Sequence, residues 1–285
     1  MIKKSERKTC RNAITGLLIP LLLLLPGLTM AQQKTVEVRD LPSIIIELTG
    51  QDKCHTQGAD LWEDYLFITC VDRNDSRAWL YRYSLPEDFP SKGATLLDPE
   101  TLDVTDKGRY HPSGIDHDED CLWQASAHYR SVLARSTVMC INKETLETES
   151  SFNVKDHIGG VTIMGDKIVG LNWDSKKIYR FDKEGNELSK DDNPTGVAYQ
   201  DCDGIDEKSM LCSGNDKVAG EKTPVVDRLF YDSDKEMWSL KERAFFIYGA
   251  VPLGREGFTR TAGEDWIFVP EDYPKARLYL YPSPF

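Results

Sequence analysis

The sequence predicts an all-β chain folded as a five-bladed β-propeller. A segment of similar pattern recurs five times at blade-length intervals. Between the copies lie short β-branched and aromatic runs bounded by Asp, Asn, Gly and Lys turns, with no sustained helical spacing. A six-bladed ring with one degenerate blade is the second choice for the same pattern.

The first copy runs from His55–Leu61 into Tyr65–Asp72, the second from His111–His117 into Cys121–His128, and the third from His157–Ile163 into Lys167–Asp174. Two weaker copies follow, Asn193–Tyr199 into Met210–Asp216 and Arg255–Arg260 into Asp265–Glu271. Their shared glycines, Gly58, Gly114, Gly160, Gly196 and Gly257, lie 56, 46, 36 and 61 residues apart, the range of a propeller blade. Further strands are expected at Ala78–Tyr83 and Ala94–Leu97 after the first copy, Ser136–Ile141 and Glu149–Val154 after the second, and Lys177–Phe181 after the third. The fifth copy is followed only by Arg277–Tyr281. Thr35–Arg39 and Ile44–Leu48 precede the first copy and belong to no blade of their own. One of these N-terminal strands is expected to complete the last blade and close the ring, which removes the exposed sheet edges of an open array.

Residues 1–31 carry Lys3, Lys4, Arg7, Lys8 and Arg11, then the apolar run Leu17–Leu25, then small residues ending at Ala31, the layout of a secretory signal peptide. The run is broken by Pro20 and Pro26 and falls short of the roughly 20 apolar residues of a membrane span. The expected organisation is a signal peptide over 1–31 and one propeller domain over 32–285, secreted or periplasmic, with no membrane insertion. Without that segment, 30 basic residues face 46 acidic ones. A field of this sign repels nucleic acid and anionic lipid surfaces.

Six cysteines follow the signal segment, and disulfides are the default in an exported protein. Cys54 with Cys70, Cys121 with Cys140, and Cys202 with Cys212 each flank a predicted hairpin, so these pairs are expected as staples within single blades.

In a meander propeller, the loop into the innermost strand and the loop joining the second strand to the third open on one face around the central channel. Three residues before the shared glycine stand His55, His111, His157 and Asn193; the fifth copy has Gly254 there, with Arg255 beside it. Fourteen residues after the glycine stand Asp72, His128, Asp174 and Glu271, and Asp216 fills this place in the fourth copy after an insertion. Converging imidazoles suit a divalent transition metal, so His55, His111 and His157 are the candidate metal ligands and a divalent ion the candidate cofactor. The bland alternative is that these polar residues only tie each blade to its neighbour. Duplication alone creates such symmetry, so function should show where the symmetry breaks. Trp62, Trp123, Trp173, Trp238 and Trp266 are expected in the core more than against a ligand. The acidic run Asp116–Asp120 lacks the full calcium-loop pattern and is expected as a solvated turn. Nucleophile-elbow, phosphate-loop and dinucleotide motifs are absent from the sequence.

The segments His111–Asp116 and Asp156–Val161, with the following Leu122–Trp123 and Asn172–Asp174, resemble an uncharacterised family of exported propellers known only as a domain of unknown function. More distantly, the copies resemble gluconolactonase and NHL-type propellers. The lactonase resemblance implies a divalent cation held at the channel by Glu, Asn and Asp, but histidines occupy the corresponding loop positions here. The function expected is therefore an exported propeller that binds a small molecule or metal ion at its central face. A metal-assisted hydrolase or lyase on a sugar-derived or lactone substrate is one alternative, and a scaffold for a protein partner is another.

Overall fold

Strand runs such as Tyr65–Asp72 are buried on both faces because each sheet is sandwiched between two others, and this explains near-continuous apolar runs where a one-sided sheet would alternate. The computed structural model describes residues 33–49, 54–91, 95–130, 133–218, 220–247, 251–270 and 276–285. The expected signal segment lies outside the described residues. Gln32–Phe285 forms one unit.

Five sheets make five blades. The chain begins with β1 (Lys34–Val38) and β2 (Ile44–Leu48). Blade 1 follows, built outward from the axis of β3 (His55–Trp62), β4 (Tyr65–Asp72), β5 (Arg77–Ser84) and β7 (Glu100–Asp103), with β6 (Thr95–Leu96) leaving it for another sheet. In blade 2 the inner strand is split into β8 (His111–Pro112) and β9 (Asp116–His117), followed by β10 (Cys121–Ala127), β11 (Ser136–Asn142) and β12 (Thr148–Val154). Blade 3 is β13 (Ile158–Met164), β14 (Lys167–Asn172), β15 (Lys177–Phe181) and β16 (Glu187–Asp192). Blade 4 is β17 (Ala198–Gly204), β18 (Ser209–Val218), β19 (Glu221–Asp232) and β20 (Met237–Phe246). Blade 5 has β21 (Gly257–Arg260), β22 (Trp266–Val269) and β23 (Ala276–Tyr281).

The N-terminus closes the ring twice over. β2 pairs antiparallel with β23 as the fourth strand of blade 5, and β1 pairs parallel with β20 on the outer edge of blade 4. The fourth strand of blade 1 is Glu100–Asp103, whereas the run from Ala94 to Leu97 was the sequence-based expectation. Thr95–Leu96 instead lies parallel to β2 and covers the edge of blade 5, with Leu96 buried beside Leu48.

Each seam between blades has its own core. Phe67, Leu80, Leu122 and Ile141 fill the seam of blades 1 and 2; Val138, Val161 and Tyr179 that of 2 and 3; Val169, Met210 and Trp238 that of 3 and 4. Phe258, Trp266 and Phe246 fill the seam of 4 and 5, and Ile46, Ile68 and Leu278 that of 5 and 1. The cysteines pair as Cys54–Cys70, Cys121–Cys140 and Cys202–Cys212, with Cα separations of 5.7, 5.2 and 4.1 Å.

The inner strands carry a recurring bulge: register shifts occur between Thr56 and Gly58, between Ile158 and Gly160, and between Tyr199 and Asp201. The hub position of blade 4 is therefore Asp201, five residues beyond Gly196, which sits in a turn before β17 with φ +71°. A glycine match misaligned this copy because the true hub residue is not glycine. Close packing sets the choice: a Cβ on Gly58 would lie 2.6 Å from the Gly114 Cα, and one on Gly114 would lie 2.1 Å from an Asp201 carboxylate oxygen. That carboxylate is fully buried and accepts hydrogen bonds from the backbone N–H of Ala59 and of Phe258, each at 2.9 Å, joining blade 4 to blades 1 and 5. Burial pushes the Asp201 carboxyl well above the usual range.

Candidate functional site

The hub closes the channel to a narrow waist and leaves a mouth at each end. Both mouths are built from positions counted from the hub residues Gly58, Gly114, Gly160, Asp201 and Gly257. At the upper mouth, where inner strands begin, the residues three before the hub are His55, His111, His157, Ala198 and Gly254. Asn193 is not among them. It lies between β16 and β17, where its amide donates to the carbonyls of Ser175 and Val197 and its oxygen accepts from Thr195, so it shapes that loop. Blade 5 has no room for an imidazole: a Cβ on Gly254 would lie 2.0 Å from the Gly214 carbonyl oxygen.

His111 and His157 meet, His157 Nε2 to His111 Nδ1 at 3.2 Å. Both are neutral at physiological pH. Burial, helped by the charges of His157 and Arg73, lowers His111 to about 3, and burial lowers His157 to about 4. One imidazole of such a pair donates to the other. The nitrogens of His55, His111 and His157 do not all come within 4.8 Å of one another, so the expected three-imidazole metal set is not assembled. A tetrahedral site needs donors about 2 Å from one ion, which requires all three imidazoles to converge.

Trp173 organises the rest of this mouth. Its ring stacks on His111 at 4.4 Å and 15°, meets His157 edge-on at 4.2 Å and Tyr129 edge-on at 6.1 Å, and remains 42% exposed. Tyr110 stacks on Tyr129 at 5.5 Å, and Arg73 lies over the Tyr129 ring at 5.5 Å. Trp173, His157, Tyr110 and Tyr129, with Arg73, Arg130, Asp156 and Asp174, wall a cavity of about 1080 Å³ between blades 2 and 3. A second cavity of about 120 Å³ continues toward the axis past Gln57, Gln200 and Glu256.

The other predicted positions hold loops together. The Asp72 carboxylate accepts from the N–H of Asn74 and Asp75 and fixes the turn that carries Arg73. Asp174 pairs with Lys176 at the cavity rim. The backbone N–H of His128 donates to the Arg135 carbonyl. Arg255 is exposed in the turn before β21, where its N–H donates to the Pro252 carbonyl. Glu271 lies outside the described residues. Arg260, the other basic residue of the fifth inner strand, points to the lower mouth and pairs with Asp203 at 2.9 Å and Glu264 at 2.8 Å.

The lower mouth was not anticipated. Two residues after the hub come Asp60, Asp116, Thr162, Asp203 and Thr259, a ring of oxygen-bearing side chains at the ends of the inner strands. Asp60, Asp116, Asp203 and Thr259 line a cavity of about 410 Å³ with His117 and Arg260. His117 Nδ1 lies 2.7 Å from Asp60, and although burial lowers it, the Asp60 carboxylate holds its pKa up at about 9. Asp116 accepts from the Thr162 hydroxyl at 2.6 Å and from the N–H groups of Ile163 and Gly204. Burial, then the charges of Asp203 and Asp60, raise it to about 7. Asp116 is thus buried, and of the run expected as a solvated turn only Asp118–Asp120 makes the turn. The offset of two from each hub residue was the available signal. Among the described residues, Asp60, Asp116 and His117 are one of two groups whose ligating atoms fall within 4.8 Å; the other includes the disulfide-bonded Cys121 and Cys140.

Residues 95–226, from the end of blade 1 into blade 4, match a family described as a family of unknown function (DUF6454). No curated protein matches the chain. Among solved structures, the chain is similar to the glutaminyl cyclase of Myxococcus xanthus, with a TM-score of 0.55 at 11% identity over 88% of this chain and 100% of that one. It is also similar, with a TM-score of 0.48 at 12% identity over 84% of this chain and 88% of that one, to a catalytically inactive virginiamycin B lyase from Staphylococcus aureus with quinupristin. The first likeness shows the shared propeller fold.

Proposed function

We propose that this protein is an exported binding propeller whose upper mouth receives a small molecule with a flat ring. The observation that carries the reading is the exposed Trp173 in a large cavity that breaks the ring's symmetry. Counted from the hub, the places equivalent to Trp173 hold Val71, Ala127, Gly214 and Pro270, so duplication does not account for the indole. Half-exposed aromatic rings around a concave, pre-formed cavity of this size are the usual lining of a small-molecule site. The neutral His111–His157 pair adds hydrogen-bonding groups without charge. The three disulfides agree with an oxidising compartment outside the cytosol, as does the leader-like segment 1–31. A hydrolase built on a three-histidine metal draws no support from the imidazole geometry.

The test is ligand-observed NMR with a library of one- and two-ring planar compounds of positive, zero and negative charge, on the wild type and Trp173→Ala, with thermal unfolding as the folding control. Hits on the wild type that disappear in a folded Trp173→Ala protein support the reading. The same hits on both proteins, or none on either, refute it.

A further inference from the structure

Arg73 and Arg130 both line the upper cavity, and among the described residues neither has a carboxylate partner. Arg77, Arg82, Arg109, Arg228, Arg243 and Arg260 are each in an ion pair, whereas among the described residues Arg135 and Arg180, which do not line the cavity, have none. Acids are plentiful in a chain of net charge −12, so unpaired guanidinium groups in a cavity call for a reason. The two acids that share the cavity are already engaged. Asp174 is paired with Lys176, and Asp156 accepts from the Tyr179 hydroxyl at 2.5 Å and from the His157 N–H at 2.8 Å. His111 and His157 contribute no charge. The cavity therefore presents two positive groups beside an aromatic wall, in a molecule whose overall field is negative.

We infer that the ligand of this cavity carries an anionic group on or next to its flat ring, the ring lying against Trp173 and Tyr129 and the anion facing Arg73 and Arg130. The inference rests on the proposed binding role and adds the chemical class. A guanidinium offers planar paired donors that suit carboxylate or phosphate oxygens, and it reaches them here from a turn fixed by Asp72. Beside the cavity, Gln57 and Gln200 at the channel mouth are placed for neutral polar substituents.

Calorimetric titration of the purified protein with 2-naphthoate, 2-naphthyl phosphate and the neutral 2-naphthamide tests this. The anionic compounds should bind at least about tenfold more tightly than the amide, the effect of a charge-assisted hydrogen bond. Arg73→Met/Arg130→Met should erase that preference, bringing the ratio of anion to amide affinity to about one, and Trp173→Ala should weaken all three compounds. The ratio of naphthoate to naphthyl phosphate affinity identifies which anion the pair favours. Equal binding of amide and anions by the wild type, or an anion preference that survives the double arginine variant, would overturn the inference and leave the ring-binding site standing. Binding of none of the three overturns the inference, and the charge-neutral arm of the library screen then decides whether the binding role falls with it.

Discussion

Replacing Asp201 by alanine should loosen the propeller at its axis. Two N–H groups from other blades, those of Ala59 and Phe258, both donate to this one carboxyl oxygen at 2.9 Å, and Cys202 N–H donates to the other at 3.0 Å. Alanine leaves the two inter-blade donors buried without an acceptor. At about 1–3 kcal/mol for each unsatisfied group, the loss is about 2–6 kcal/mol, less whatever is recovered by no longer burying the carboxyl group. For a domain of this size about 1 kcal/mol moves the midpoint by about 2–4 °C, so thermal unfolding should shift down by about 5–20 °C. An asparagine side chain at this position keeps one oxygen for both inter-blade donors and places an amide against Cys202 N–H, so Asp201→Asn should cost about half as much or less. Burial raises the folded-state pKa of Asp201, so its contribution is complete below the ordinary carboxylate range and diminishes as pH rises through the raised value. The advantage of the wild type over Asp201→Asn should accordingly narrow as pH rises above about 4. Differential scanning calorimetry across pH, with the disulfides intact, measures both. An Asp201→Ala midpoint within about 2 °C of the wild type, or an Asp201→Asn variant as damaged as the alanine one, would refute the hub argument.

Two more outcomes are expected. Because burial lowers His111 to about 3 and His157 to about 4, the unfolded chain takes up two protons below the ordinary histidine pKa that the folded protein refuses; their contribution is complete above about 6.5 and is lost as pH falls. His111→Gln/His157→Gln should remove up to about 2.7 kcal/mol per pH unit of acid destabilisation between pH 6 and 5, read from urea midpoints, and an unchanged difference from wild type over that range would contradict it. Gly114→Ala should cost about 1–3 kcal/mol by overpacking against the Asp201 carboxylate, and combining it with Asp201→Ala should cost at least about 1 kcal/mol less than the sum; strict additivity in the thermal unfolding cycle would show that the two do not compete for the same space.

The repeat made the ring legible because every blade needs the same tight inner strand, and glycine is the residue that allows it. The same logic failed in blade 4. There the hub is Asp201, and counting from Gly196 put Asn193 at a place that belongs to Ala198. The upper-mouth histidines were legible as a level of the ring, since His55, His111 and His157 share one offset. Which of them touch was not, because blade spacing and the bulges set distances that sequence offset does not carry. Trp173 was visible but expected in the core, as Trp123, Trp238 and Trp266 are; a strand-end offset alone does not say whether a ring turns inward or outward. Arg73 and Tyr129 share one offset from the hub, and their pairing on one wall depends on the turn after each second strand.

Taken alone, the sequence determined the all-β class, the five blades, closure by an N-terminal strand and the three disulfide pairs, all of which follow from local periodicity and from residues close along the chain. Only the tertiary structure decided that Asp201 joins blades 1 and 5, that His111 and His157 meet, that Asp60, Asp116 and His117 gather at the lower mouth, and that Trp173 faces a cavity. These contacts join residues up to 142 positions apart, and their distances are set by how five twisted sheets pack around one axis.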